Sequence, residues 1–526
     1  MAPDRWRGAD VRGTYVEWRK SAAITGTVVK WLAVAMVIPL AVSVIYGRDV
    51  WVFLASMAVF VGVGGGLERL ESDVDLGPRE ALLLVALAWG AVSVVGAVPY
   101  LLAGWGTPST LAHPLNALFE STSGFTTTGA TVMGEISLDR HSHGLLIWRQ
   151  LSQWLGGMGI VVLAVAILPE LSVGGAQLMD AEAPGPGIEK LTPRIAETAR
   201  VLWIAYFAFT VLEMALLFGL NLAGFADEMT LFNAISHGLT TLPTGGFSPE
   251  AYSIEAFSAA VQWVIIPFMV VAGTNFALFW RAFDEDGRVF SEDSEFRFYA
   301  GVMAVLSAVL AGLLFSGVGP GLATIAENVL PIPGNVERSL RHAIFQVVSI
   351  VTTTGYASMD FNTWSDLAKI TLLFAMFLGG SAGSAAGGIK IIRWYVVSKS
   401  VGRELFTTIH PEAVRPIRIG KRAADEETIR GIFVFVLAFL VIFVVSTVLL
   451  YLDAVRVGVE MNALEAASMT IATLGNVGPG FGQVGPMNSY EPFSVFSKLY
   501  MVFLMWIGRL EILSVLVILT PSYWRH

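Results

Sequence analysis

Long apolar stretches recur along this chain, separated by short polar links. The first covers 24–46, behind a basic amino end that carries Arg12, Arg19 and Lys20. It is too long for a signal-peptide core and lacks a small-residue cleavage site, so the pattern predicts a retained membrane span. A second stretch covers 50–66, and the tight Gly47-Arg48-Asp49 link makes the two a helical hairpin. From there a unit repeats: a long apolar helix, a short semi-apolar helix, a Thr/Gly-rich turn, and a second long apolar helix. The units are 79–103, 114–124 and 143–168; 199–224, 229–240 and 256–280; 296–315, 336–351 and 367–399, the last broken internally; and 428–452, 459–471 and 495–520.

The short elements fall below the roughly 17–25 residues that cross a bilayer. They are predicted as re-entrant helices, which must be enclosed by protein or line a wet cavity because exposed loop backbone is not tolerated in lipid. The predicted fold is therefore an all-α integral membrane protein of ten spans, with four helix–half-helix–helix repeats around a central pore. The expected divisions are an N-terminal hairpin over 1–67, repeats over 68–193, 194–294 and 295–426, and a last repeat over 427–526.

Composition removes the soluble alternatives. Of 526 residues, 55% are apolar and 14% charged, against roughly 25% charged in soluble domains. There are no cysteines, which excludes disulfides, thiolate metal sites and cysteine catalysis. The formal net charge of -9 argues against nucleic acid as a partner. Positive charge also sets an orientation. The 390–430 segment holds Lys390, Arg393, Lys399, Arg403, Arg415, Arg418, Lys421, Arg422 and Arg430, whereas 225–255 has none. By the positive-inside rule both termini and the 390–430 segment are expected in the cytoplasm, with the Thr/Gly turns opening outward.

Those turns are alike. They contain Thr127-Thr128-Gly129, Pro243-Thr244-Gly245, Thr353-Thr354-Gly355 and Thr473-Leu474-Gly475, with central glycines at intervals of 116, 110 and 120 residues. Four similar turns at near-equal intervals indicate internal repetition. A dehydrated monovalent cation needs a cage of neutral oxygens, which backbone carbonyls and threonine hydroxyls supply. Each half-helix would also aim its partly negative carboxyl end at the axis. The plainer alternative is four re-entrant turns that cap a bundle.

At this point the chain resembles the Trk/Ktr potassium-transporter superfamily, in particular its TrkH-type membrane subunit, over nearly its whole length. The residues that carry the resemblance include Phe119-Glu120-Ser121-Thr122-Ser123-Gly124-Phe125-Thr126-Thr127-Thr128-Gly129, Trp148-Arg149-Gln150, Pro243-Thr244-Gly245-Gly246-Phe247-Ser248, the third turn, the glycine run 379–388, and Gly508-Arg509-Leu510-Glu511. The resemblance implies a four-repeat, potassium-channel-like pore in one chain, assembly as a homodimer, and a cytoplasmic nucleotide-binding regulator of the TrkA type. Within the family, glycine at all four filter centres goes with potassium. No cofactor is implied, and K+ is the cargo. Leu242-Pro243 and Leu474 depart from the Thr-Thr-Thr-Gly form and leave fewer hydroxyls.

The second helix of repeat three is interrupted by a run that contains Gly379, Gly380, Ser381, Gly383, Ser384, Gly387 and Gly388. Each glycine costs about 1 kcal/mol relative to alanine inside a helix, so the run should unwind. It reads as an intramembrane gating loop, against the alternative of a small-residue packing seam. Arg509 lies mid-span, where an unpaired charge costs about 2.5–3.5 kcal/mol. It is expected to hydrogen-bond carbonyls of the glycine loop and to set a barrier in a closed pore; the alternative is an ion pair with another repeat. Lys390 and Arg393 suit anchoring or gating equally. Glu120, Glu465 and Asp360 either attract cations or tie the half-helices down.

Two other functions remain in view. A sodium-conducting or proton-coupled carrier could use the same scaffold, although no mid-membrane chain of carboxylates is evident. Further off, Gly379-Gly380-Ser381-Ala382-Gly383 matches a serine-nucleophile pattern, but no histidine lies deep in a span. The pair His141 and His143 would make only a weak metal site and fits a wet loop better, and 172–190 suggests an interfacial segment and cytoplasmic turn that either meets the regulator or packs as an ordinary loop.

Overall fold

In the computed structural model the described residues are 16–71, 77–166, 195–284, 287–317, 332–420 and 422–524. The 172–190 segment lies outside them. The N-terminal hairpin is formed by α1 (Trp18–Ala35) and α2 (Val37–Tyr46), which run nearly end to end, and α3 (Val50–Glu68). Gly47, with φ 67°, ends α2 in the left-handed conformation. α1 and α3 cross where Gly26 meets Gly64. A Cβ on either would lie 2.6 Å from the other's carbonyl oxygen, the close approach that small residues permit between membrane helices. Lys30 and Glu68 pair at 2.6 Å on the same two helices.

The chain continues through α4 (Pro78–Gly96), α5 (Val98–Gly104), α6 (Pro114–Phe125), α7 (His143–Ala166), α8 (Ile195–Leu222), α9 (Leu231–Thr241), α10 (Ala259–Ala272), α11 (Phe276–Asp284) and α12 (Val289–Glu292). Then come α13 (Ser294–Phe315), α14 (Val336–Val351), α15 (Asp366–Met376), α16 (Ile391–Ile409), α17 (Glu426–Val457), α18 (Ala463–Leu474), α19 (Val495–Arg509), α20 (Ile512–Leu519) and α21 (Pro521–Trp524). A hairpin of two short strands, β1 (Arg418–Ile419) and β2 (Arg422–Ala423), sits between α16 and α17. Among the described residues six helical stretches are long and apolar enough to cross a membrane.

Two stretches that the pattern predicts as single helices are broken. α10 and α11 meet at 96°, and α19 and α20 at 113°. At the first break Asn275 Oδ1 accepts from the Ala277 N–H at 2.9 Å and so starts the next helix. At the second, Glu511 takes φ 63°, outside helical backbone. The predicted break in repeat three lies between α15 and α16, where Gly379 and Gly388 form an isolated bridge.

The four short helices α6, α9, α14 and α18 begin at polar caps. His113 Nδ1 accepts from Leu115 N at 3.3 Å, Thr230 Oγ1 from Asn233 N at 3.2 Å, and Asn335 Oδ1 from Arg338 N at 3.0 Å. Asn462 and Glu465 form a reciprocal capping box. These caps satisfy amides that a buried helix end would otherwise leave orphaned. Each short helix is largely buried and leads directly into one of the Thr/Gly turns.

Candidate ion pathway and its intramembrane loop

All four turns follow one backbone pattern. In the residue called i, φ is left-handed: Thr127 at 52°, Thr244 at 56°, Thr353 at 57° and Asn476 at 55°. Two residues later a glycine is left-handed as well: Gly129 at 81°, Gly246 at 73°, Gly355 at 79° and Gly478 at 101°. Hydrogen bonds give the same register. The amides of Thr128, Gly245, Thr354 and Val477 each donate five residues back, to the carbonyls of Ser123, Thr240, Ser349 and Ala472, at 2.8–2.9 Å. Turns one and three therefore fall where their spelling predicts.

Turns two and four fall later. The left-handed glycine of the second is Gly246, one residue beyond Gly245. That of the fourth is Gly478, three beyond Gly475. Leu242 and Gly475 are the carboxyl caps of α9 and α18, in ordinary right-handed backbone. Thr473 and Leu474 belong to the last turn of α18, and the Thr473 hydroxyl bonds back to Met469 O at 3.0 Å. Pro243 precedes the left-handed Thr244.

The turns close on one another in sequence order. A Cβ added to Gly129 would strike the carbonyl oxygen of Gly245, one on Gly246 that of Thr354, one on Gly355 that of Val477, and one on Gly478 that of Thr128. This is a complete ring, first to second to third to fourth to first. Only glycine allows both the backbone angle and the approach. The same four glycines line a concavity, with Glu250 and Asn488 on its wall.

Side chains behind the ring fix it from several elements. Gln153 on α7 donates to Gly245 O at 2.6 Å and accepts from Phe247 N at 3.1 Å. Asn476 Nδ2 donates to Thr128 Oγ1 and to Met505 O, both at 2.9 Å. Tyr490 donates to Gly478 O at 2.7 Å. Glu120 pairs with Arg149 at 2.6 Å, with both side chains almost wholly buried, and accepts from Val132 N at 3.0 Å. Arg149 also donates to Ser248 O at 2.9 Å and stacks its guanidinium 3.5 Å over Phe247. Glu120 and Glu465 thus tie their helices down, and Asp360 Oδ1 accepts from Asn362 N at 2.9 Å in its own short turn.

The 379–388 loop lies against the ring. Gly387 N donates to Thr353 Oγ1 at 2.7 Å, and a Cβ on Gly387 would be 2.6 Å from Gly475 O. Two helix breaks, this loop and the one between α10 and α11, meet here and satisfy one another's backbone. Ser381 N donates to Gly273 O at 2.8 Å, Ala385 N to Ala272 O at 3.3 Å, and Phe276 N to Gly383 O at 3.4 Å. Irregular backbone at this depth survives because protein encloses it. Lys390 Nζ reaches three loop carbonyls, Ser381, Ser384 and Ala386, at 3.5, 3.2 and 2.9 Å. Glu295 on α13 accepts from Ala382 N at 2.7 Å. Buried Arg509 donates to Ala385 O at 2.9 Å and to Gly156 O at 3.4 Å. Its neighbour Glu511 pairs instead with Arg393 at 2.7 Å.

The family model described as "Cation transport protein", TrkH, matches residues 51–525. The chain belongs to the TrkH family. It is 36% identical over 509 residues to the Trk system potassium uptake protein TrkH of Halomonas elongata, covering 95% of this chain and 98% of that one. To the Escherichia coli K12 protein of the same name it is 36% identical over 521 residues, covering 97% of this chain and all of the relative. The crystal structure of the potassium transporter TrkH from Vibrio parahaemolyticus superposes with a TM-score of 0.82 at 33% identity, covering 97% of this chain and 100% of that chain. TrkH proteins are membrane transporters and not enzymes.

In this TrkH-family chain the serine of the loop has no catalytic setting: among the described residues the buried Ser381 Oγ has no hydrogen-bond partner. The two histidines weighed as a metal pair are each engaged elsewhere. His141 Nε2 bonds the Glu135 carbonyl at 3.1 Å, and burial pushes its imidazole down to about 4. His143 stacks on Tyr46 at 3.6 Å. Sequence reasoning missed Gly246, Asn476 and Gly478 in the turns, and Gln153 and Glu295 around them. An Asn followed two residues later by Gly, just past a helix end, was the available signal for the fourth turn.

Proposed function

We propose that this chain takes K+ into the cell, as its named relatives do, through the ring formed by Thr127-Thr128-Gly129, Thr244-Gly245-Gly246, Thr353-Thr354-Gly355 and Asn476-Val477-Gly478. The observation that carries the reading is the closure of that ring by four glycines, each set against the next turn's backbone. Left-handed pairs turn successive carbonyls toward a common axis, where they replace the water of a monovalent cation. The carboxyl ends of α6, α9, α14 and α18 lead into the ring and add negative potential for the entering ion.

The 379–388 loop, held by Arg509, Lys390 and Glu295, is the gate in this reading. Arg509 adds a positive charge to the closed path, which a permeating cation must overcome. The layout we favour counts α7 and the interrupted α15–α16 stretch with the six long helices and two bent pairs, which makes ten spans. The repeats then divide as 68–193, 194–294, 295–426 and 427–526 after the hairpin, with both termini in the cytoplasm. Trk systems include partner subunits, and for this chain we propose a homodimer controlled by a cytoplasmic nucleotide-binding subunit of the TrkA type.

Flux into proteoliposomes that contain the purified chain tests the function. K+ and Rb+ are expected to enter well ahead of Na+ and Li+, with no dependence on an imposed pH gradient. Equal K+-independent Na+ entry would reject the selectivity, and a strict requirement for a proton gradient would reject passive conduction.

A further inference from the structure

Glu213 lies on α8, behind the second turn, and the pathway described above does not use it. It is fully buried. Neither of its carboxyl oxygens has a hydrogen-bond partner, and no cation pairs with it, among the described residues. An ionised carboxylate with no partner is among the most costly groups to bury. Its surroundings do not lower that cost. The side chains that face it are Thr241, the last residue of α9, and Tyr356, which follows Gly355 in the third turn. Thr241 is also at the carboxyl end of a helix, where the dipole opposes a further negative charge.

The donors around this carboxyl are already spent. Thr241 Oγ1 gives its proton to His237 O at 2.9 Å, and the Tyr356 hydroxyl donates to His237 O at 3.3 Å. Thr240 Oγ1 bonds Ser236 O at 3.1 Å and contacts the Tyr356 hydroxyl. His237 is bonded through Nδ1 to Asn233 O at 2.7 Å and through Nε2 to Ser248 Oγ at 3.1 Å. On α7, Arg149 is spent on Glu120 and Ser248, and α10 carries no titratable side chain. What Thr241 has left to offer is a lone pair. A carboxylate, which only accepts, finds nothing there; a carboxylic acid, which carries one proton to donate, fits.

We infer that Glu213 is held as a neutral carboxylic acid whose proton goes to the Thr241 hydroxyl, making it a positioning residue for the second and third turns of the ring. The coupling is direct in structure. Thr240 O accepts the Gly245 and Gly246 amides, at 2.9 and 3.4 Å, and Thr241 O accepts the Thr244 amide at 2.9 Å. Thr241, which Glu213 steadies, and its neighbour Thr240 therefore carry these hydrogen bonds of the second turn. Tyr356 joins the same cluster to the third. The effect on ion choice rests on the ring being the K+ pathway; the protonation state does not.

The test compares wild type, Glu213→Gln and Glu213→Leu as full-length purified protein. Infrared spectra at neutral pH read the protonation state. The wild type is expected to show a carbonyl stretch of an un-ionised carboxylic acid that Glu213→Gln lacks; a difference confined to the carboxylate bands would overturn the inference. Proteoliposome flux reads the positioning. The glutamine amide still donates, so Glu213→Gln should keep the wild-type K+ to Na+ ratio, whereas Glu213→Leu should lower it about tenfold, in proportion to one lost buried hydrogen bond. A ratio in Glu213→Gln as low as in Glu213→Leu would overturn it. Should Glu213→Leu fail to fold, the glutamine variant and the infrared band decide. A wild type with no K+ preference contradicts the proposed function, and the band still decides the state of Glu213.

Discussion

Threonine is an unusual choice where φ is positive, because its branched Cβ crowds the backbone there. Thr127, Thr244 and Thr353 all adopt that conformation, and only the fourth position holds Asn476, a residue that tolerates it. Strain of about 1–3 kcal/mol at each such site persists only when the surroundings over-determine it. Gln153, Tyr490 and the Glu120–Arg149 pair provide that support. Breaking a buried ion pair from one side costs about 3–5 kcal/mol, so Arg149→Met should lower thermal stability markedly in detergent, and restoring neutrality with Glu120→Gln in the same chain should recover part of it. The glycines differ in the same local terms. Gly478 has φ 101°, and a Cβ there would lie 2.6 Å from Thr128 O. Gly475 has φ -84° and would meet Ile471 O at 2.8 Å. Gly478→Ala should therefore abolish K+ flux, while Gly475→Ala should retain a substantial fraction of it.

At the scale of elements, the 379–388 loop is held by contacts from four directions: Glu295, Lys390, Thr353 and Arg509. In the proposed reading Arg509, like Lys390, places a positive charge beside the path, and it reaches the loop from a different repeat. Removing it with Arg509→Ala should raise K+ flux in proteoliposomes about tenfold or more, the scale set by an uncompensated intramembrane charge. Unchanged flux would confine Arg509 to packing. The long helices and the glycine interruption were legible in sequence because apolar length and glycine density are local properties. The two sharp breaks, after Ala272 and after Arg509, were not. Gly273-Thr274-Asn275 and Leu510-Glu511 carry no composition that outweighs the apolar runs around them, and the partners that satisfy the first break's backbone lie in the distant loop. The turns were legible where threonines precede a single glycine. In the second and fourth, two or more glycines compete, and the choice depends on where the preceding helix ends. That end is set by packing.

Across the whole molecule, four segments far apart in sequence supply one ring, and the last closes on the first through Gly478 and Thr128. The contacts that lock it also run between repeats: Asn476 to Thr128, Gln153 to Gly245, Tyr356 to Thr240. Such an arrangement lets one chain supply four like turns to a single ring, and each turn can depart from the others in side chains while keeping the same backbone. The ring is the central claim, and its most direct test is where the ion sits. Crystals of the protein grown in Rb+ should show anomalous density on the axis enclosed by Gly129, Gly246, Gly355 and Gly478. Rb+ bound elsewhere, with the ring empty, would contradict the account.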